Sequence, residues 1–219
     1  MKRLFLCALM LLSLPLLRAE QTDEEYRRVI YGRADNIVKT LAIESVTQQD
    51  FIKELIATQY IDLGKINDEY KAKEDEIKAM DISKEEEMAL LNEAFHNQRY
   101  QLQAKHYYFV CQLDANLDYD QIEKVKDGMT MNVYPRTLQA HLDMIPSLKP
   151  EEIAYIKAAL KEAREYAMDC SDSKMKHAWF GKYKGRINNY LSGRGYDLKK
   201  EREAWYERTK QAEAQNNNK

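Results

Sequence analysis

Hydrophobic residues return along this chain at three- and four-residue steps, and that period predicts helices from one end to the other. The first helix covers Asp23 to Ala42, with Tyr26, Val29, Ile30, Ile37, Val38 and Leu41 on one stripe. Thr47 and Asp50 are spaced as a capping pair. A long helix follows them, striped by Ile52, Ile56, Tyr60, Leu63, Ile66, Tyr70 and Ile77. Ser83 and Glu86 form a cleaner capping box and open another long helix. Its Met88, Leu91, Phe95, Leu102, Phe109 and Leu113 are separated by steps that add to sevens, as in a coiled-coil seam. The link Met80 to Ser83 is short enough to turn the two long helices into an antiparallel hairpin. The charge runs Lys71 to Lys78 and Lys84 to Glu87 read as solvated back faces with pairs four residues apart.

Beyond the hairpin the helices shorten and the punctuation becomes explicit. Asp118 with Gln121 caps a segment from Tyr119 to Lys126, and Gly128 ends it. Met129 to Tyr134 then cross to Pro135, which excludes Tyr134 from the helical region and takes the first position of a helix to Met144. Pro146 breaks that helix. Pro150 begins the next, which carries Glu151 and Glu152 in its first turn and ends near Met168. Asp169 to Ser173 reads as a loop. Two final helices run from Lys174 to Leu191, stopped by Ser192-Gly193-Arg194-Gly195, and from Leu198 to Ala212, with residues 214–219 as a disordered tail. The expected fold is all-α, a long antiparallel helical hairpin packed with a bundle of shorter helices. Residues 20–213 read as one domain, because no strand, repeat or dividing linker is visible.

The chain opens with Met1-Lys2-Arg3, an apolar run from Leu4 to Leu17 and the small residue Ala19, which together read as a secretory signal peptide over residues 1–19. The run is shorter than the roughly 20 residues a bilayer-spanning helix needs. No later stretch is apolar enough to span, so a periplasmic or secreted protein without a membrane span is expected. Cys7 lies inside the apolar run instead of after it, which argues against lipid attachment. Cleavage after Ala19 removes Lys2, Arg3 and Arg18 and no acidic residue. That leaves 31 basic against 36 acidic residues, a formal charge of −5, which argues against a nucleic-acid partner. Cys111 and Cys170 permit one disulfide, but a domain of this length does not need a staple, and two unpaired buried thiols are expected. His96, His106, His141 and His177 are scattered with no His-x-x-x-His pair, and the cysteines lack zinc spacing, so neither metal nor cofactor is implied.

The chemistry concentrates in His177 to Leu191. At 3.6 residues per turn Phe180, Tyr183, Ile187 and Leu191 share one stripe, read as core. Gly181 and Gly185 form a bare strip for the close approach of another helix, at about 1 kcal/mol each in helix propensity. Around them stand Trp179, Lys182, Lys184, Arg186, Asn188, Asn189 and Tyr190. A pyranose has an apolar face on which a ring can stack and a rim of hydroxyls that needs fixed donors and acceptors. If the sugar is a uronic acid, Arg186 and Lys182 can pair with its carboxylate. The candidate carbohydrate site is therefore His177, Trp179, Lys182, Tyr183, Arg186, Asn189 and Tyr190, facing Thr130 and Tyr134 on the crossing. The plainer reading is a helix packed on both sides, its rings filling core and its cations bridging to Glu162, Glu165 or Asp169.

The runs Glu123-Lys124-Val125-Lys126-Asp127-Gly128-Met129-Thr130, Ile145-Pro146, Glu162-Ala163-Arg164-Glu165-Tyr166-Ala167-Met168-Asp169, Lys176 to Leu191 and Gly195-Tyr196-Asp197-Leu198 resemble a secreted Bacteroidetes family of unknown function, to which sugar binding has been ascribed. The likeness spans Tyr26 to Trp205 and is closest from Ile122 onward. It implies a helical component of a polysaccharide-utilisation system, with carbohydrate of a pectin-like kind as ligand and other exported proteins of such a system as partners. It supplies no catalytic residue. Two other classes stay open. A lyase acting on acidic sugars would use Tyr183, Tyr190 or His177 as base and Arg186 or Lys182 to neutralise the carboxylate, while a hydrolase would need two carboxylates from Glu162, Glu165 and Asp169. A non-catalytic interaction protein would dock through the hairpin and expose an apolar patch there.

Overall fold

In the computed structural model, residues 23–216 are described, with side chains as far as Glu213. The signal peptide expected over residues 1–19 and the last three residues of the tail lie outside them. Among the described residues the fold is all-α, eight helices and no strand. Their contacts group into two compact units, one ending at Leu117 and the other beginning at Asp118. The sequence reads as one domain here because no linker marks the division: Leu117 ends one helix and Asp118 caps the next.

The first unit begins with α1, residues 23–38. It stops four residues short of Ala42 because Thr40 and Leu41 turn back onto the Ile37 and Val38 carbonyls and Ala42 is left-handed, at φ 53°. Ile30, Ala34, Ile37, Val38 and Leu41 are buried, while Tyr26 and Val29 from the expected stripe are exposed. The next helix, α2 (Val46–Lys78), is capped by Ser45, whose Oγ accepts from the Gln48 N–H at 3.3 Å; Thr47 and Asp50 lie inside it. Gly64 lets the Tyr26 hydroxyl close on α2, since a Cβ there would sit 2.8 Å from it. The capping box of Ser83 and Glu86 opens α3 (Lys84–Asn116) as the spacing predicts. Three side-chain bonds tie α2 to α3: Gln48 Nε2 to the Asn116 carbonyl at 2.6 Å, Lys105 Nζ to Asp62 at 2.5 Å, and Gln98 Nε2 to Asn67 at 3.0 Å. Positions rising along one helix meet positions falling along the other, so the hairpin is antiparallel as expected. On α3 the buried stripe is Leu102, Phe109 and Leu113; nearer Ser83, Met88 is 63% and Phe95 45% exposed, although Ile77 at that end of α2 is buried.

The second unit starts with α4 (Tyr119–Met129), capped by the Asp118 and Gln121 box. Gly128 does not end it. The chain reverses at Met131 and Asn132, both left-handed at φ 58° and 54°, with the Asn132 N–H on the Asp127 carbonyl at 2.7 Å. Those two residues make the turn, so Tyr134 can be helical. Accordingly α5 (Val133–Met144) holds Pro135 at its third position, where the missing N–H is still among the four that have no partner within the helix. The next helix is α6 (Pro150–Met168), with proline at the start as predicted. After it come α7 (Ser173–Gly193), capped by Asp172 on the Met175 N–H, and α8 (Leu198–Asn216), which continues past Ala212. Ile145, Ile156, Leu160, Ala163, Ala167, Phe180, Tyr183, Ile187 and Leu191 form the core between them. Each large side chain there contributes about 1.5–3 kcal/mol relative to exposure. The carboxylate of Glu152, buried at the start of α6, accepts from the Lys149 N–H, the Tyr196 hydroxyl at 2.6 Å and Arg194 Nε at 3.2 Å. It thereby fastens the chain after α7 to α6. Both cysteines among the described residues are free. Cys170 is buried, and burial pushes its thiol up to about 11, whereas Cys111 is exposed, contrary to expectation.

Candidate functional site

One helix face points inward and two flanks remain. On α7 the side chains of Phe180, Tyr183, Ile187 and Leu191 are all buried, the core stripe that the 3.6 period predicts. Along one flank runs the seam with α6. There Trp179 stacks on Tyr166, with ring centroids 4.5 Å apart, and Tyr190 stacks on Tyr155 at 3.8 Å. Between the two ring pairs Arg186 meets Glu162 at 3.2 Å and lies over the Tyr183 ring at 5.3 Å, while Lys182 lies over Trp179 at 4.9 Å. Burial, reinforced by a bond to Glu162, pushes the Tyr183 phenol up to about 12, which makes it a poor base near neutrality. The flat faces on this flank are thus largely used within the protein.

The other flank opens a cleft of about 500 Å³. From α7 it is lined by His177, Lys184 and Asn188. Val133, Arg136, Thr137, Ala140, His141 and Met144 line it from α5, and Arg202 and Trp205 from α8. Gly181 sits one turn from both His177 and Lys184. No helix packs against Gly181 or Gly185 as the sequence suggests; a Cβ at either would meet nothing within 4 Å. Arg136 donates from Nε to the Asn132 carbonyl at 3.0 Å and from Nη2 to that of Met131, which holds both its own guanidinium and the left-handed turn. His141 is buried in the wall with Nδ1 2.7 Å from the Thr137 carbonyl. Burial holds its imidazole below the ordinary range, and the charge of Lys184 adds to the effect.

The predicted site residues therefore do not converge. His177 is on the cleft, whereas Trp179, Lys182, Tyr183, Arg186 and Tyr190 belong to the seam. Asn189 is exposed and borders neither. Thr130 is fully buried, its hydroxyl donating to the Lys126 carbonyl at 2.8 Å, so it cannot line a surface site. Tyr134 is half-buried beneath the Arg164 guanidinium, 4.9 Å from its ring. Arg164 is itself wholly buried and bonds Asp127 and Glu123 at 2.6 Å each; its Nε has no partner among the described residues. Burial raises both carboxyls. It prevails at Asp127, while the bonds from Arg164 and Lys161 hold Glu123 below its usual range. Lys126 and Glu165 at 2.9 Å extend the cluster.

Arg136, Thr137, Arg202 and Trp205 were missed by sequence reasoning, since α5 and α8 carry no local pattern that announces a site. The one available signal was the pair Trp205-Tyr206, two large rings side by side in an otherwise charged helix. No Asp or Glu is among the described residues lining the cleft, so the two-carboxylate arrangement of a hydrolase is not built there. Of the bases considered for a lyase, His177 lies on the flank opposite Arg186, while Tyr183 lies beneath Arg186, 5.3 Å from its ring, with its phenol pushed up to about 12. Among the described residues no His, Cys, Asp and Glu group could hold a metal ion, and no helix is long and apolar enough to cross a membrane. Residues 27–211 match the model of a family described as "Protein of unknown function (DUF3826)", and the chain belongs to that family. The chain matches no curated protein.

Proposed function

We propose that this chain is an exported carbohydrate-binding component of a polysaccharide-utilisation system, and that the saccharide, of a pectin-like kind, sits in the cleft between α5, α7 and α8. Export rests on the leader read at the N-terminus. The observation that carries the binding site is the cleft itself: a concave surface of small-ligand size, with a flat ring at Trp205, a hydroxyl at Thr137 and the amide of Asn188 all bordering it. A ring for the C–H face of a pyranose and fixed polar groups for its rim meet the two needs a sugar has. The seam offers rings as well, stacked across α6 and α7 at 3.8 and 4.5 Å, whereas Trp205 lies against its chain neighbour Tyr206 at 5.5 Å and borders the cleft.

Calorimetry with a panel of plant-polysaccharide oligosaccharides tests this. Trp205→Ala and Asn188→Ala are each expected to weaken binding about tenfold, the loss of one well-made contact. Trp179→Ala, on the opposite flank of α7, serves as the control and should bind as the parent does. If Trp179→Ala alone destroys binding, the saccharide lies on the seam; if no oligosaccharide binds the folded parent, the carbohydrate reading is wrong. One observation favours a second reading, that of an interaction protein: α3 exposes Met88, Phe95, Tyr100, Tyr107 and Tyr108, all at 45% or more.

A further inference from the structure

We infer that the α5, α7 and α8 cleft is built for an oligosaccharide carrying several anionic groups, held by Arg136, Lys184 and Arg202. The inference rests on the carbohydrate reading and adds the charge and length of the ligand. One cation comes from each of the three helices that wall the cleft, and no carboxylate lines it. Several other cations of this unit are paired: Arg186 with Glu162, Arg194 with Glu151 and Glu152, Lys126 with Glu165, Lys161 with Glu123, and Arg164 with Glu123 and Asp127. Arg136, Lys184 and Arg202 form no ion pair with any described residue; exposed lysines such as Lys124 and Lys157 share that state, but these three converge on one cleft from three helices.

Such an arrangement has a physical consequence. The apolar side chains of Val133, Ala140 and Met144 border the same space, so a ligand that fills it displaces water from the cations. A neutral sugar would take that hydration and return only hydrogen bonds, whereas a carboxylate returns charge. Arg136 is already immobilised by the Met131 and Asn132 carbonyls, which lowers the entropy lost when its remaining N–H groups meet an anion. A single uronate brings one carboxylate to three cations on three helices. Successive residues of an acidic oligosaccharide bring one each, so affinity should climb with length.

Binding of galacturonate, its dimer and its trimer, a neutral galactose trimer, and citrate would be measured by calorimetry in dilute buffer and at about 0.15 M salt. Circular dichroism would confirm the fold of every variant. The expected result is that the trimer binds about tenfold or more tighter than the monomer and weakens in salt, with the neutral trimer showing no binding. Lys184→Gln and Arg202→Gln should each cost the trimer about tenfold and flatten its salt dependence. The neutral trimer binding as well as the acidic one, or the double variant binding the acidic trimer as the parent does, overturns the inference and leaves the carbohydrate reading standing. Citrate binding without any saccharide overturns the carbohydrate reading and keeps the cation seat. No binding of any probe removes both.

Discussion

In the hairpin, charged side chains pair mostly along the surface of a single helix, as Lys71 does with Asp75, Lys73 with Glu76 and Lys78 with Glu74, with Lys105 to Asp62 crossing between the two helices. From Asp118 onward they reach between helices and inward, as Arg164 does to Glu123 and Asp127, Glu152 to Arg194 and Tyr196, and Lys176 to the Met129 carbonyl. The difference follows from helix length. Two helices of 33 residues set their register chiefly by an apolar stripe, to which a few polar bonds between them are added. Helices of 11 or 12 residues, such as α4 and α5, bury too few side chains to be positioned that way, and buried polar groups complete the specification. Exposed pairs of the first kind contribute about 0–1 kcal/mol, whereas breaking a buried pair costs about 3–5.

Both tryptophans of the chain, Trp179 and Trp205, lie in the second unit, so their fluorescence reports that unit alone while circular dichroism reports all the helices. The largest expected effect is Arg164→Met. It should destabilise the second unit by about 3–5 kcal/mol, read as a lower urea midpoint in fluorescence, because Asp127 is left buried without its partner. Adding Asp127→Leu should recover much of the loss; if the single variant costs under about 1 kcal/mol, the buried cluster is not what specifies this unit. Smaller is Ser83→Ala, which removes the capping box of α3 at a cost of about 1 kcal/mol. That loss should appear in circular dichroism and leave the fluorescence midpoint in place. An equal shift in both signals would mean that the two units unfold together and that the contrast between them has no thermodynamic counterpart.

The last test is one of sign. His141 has a folded-state pKa below its unfolded value of about 6.5, since burial disfavours the imidazolium. As pH falls through that unfolded value the unfolded chain gains a proton that the folded chain refuses, so stability present above about pH 6.5 is lost below it. Urea melts followed by fluorescence at about pH 7.5 and 5.5 should show the drop in the parent and a reduced drop in His141→Gln. An undiminished drop in the variant would assign the acid sensitivity to other groups.

Much of the fold was legible because its signals are local. The capping boxes at Ser83 and Asp118 and the proline at the start of α6 each act within one turn, and the structure follows all three. Legibility failed where a distant contact overruled the local cue. Gly128 looked like a stop, but the reversal is made by two left-handed residues further on, held by Asp127 and Arg136. Met88 and Phe95 had the spacing of a seam, yet the hairpin leaves them exposed. Of the candidate site residues only His177 lies on the cleft.

What the sequence determined by itself is what a single helix can know: where it starts, which stripe turns inward, and that Phe180, Tyr183, Ile187 and Leu191 would be core. Period and capping depend on neighbours within a few residues, so one strand of text contains them. Which flank of α7 would meet α6 and which would face α5 and α8 was decided only by the packing of four helices. Seam and cleft differ by half a turn of the same helix, so Trp179 and Tyr190 become stacked filling on one side while His177, Lys184 and Asn188 line open space on the other.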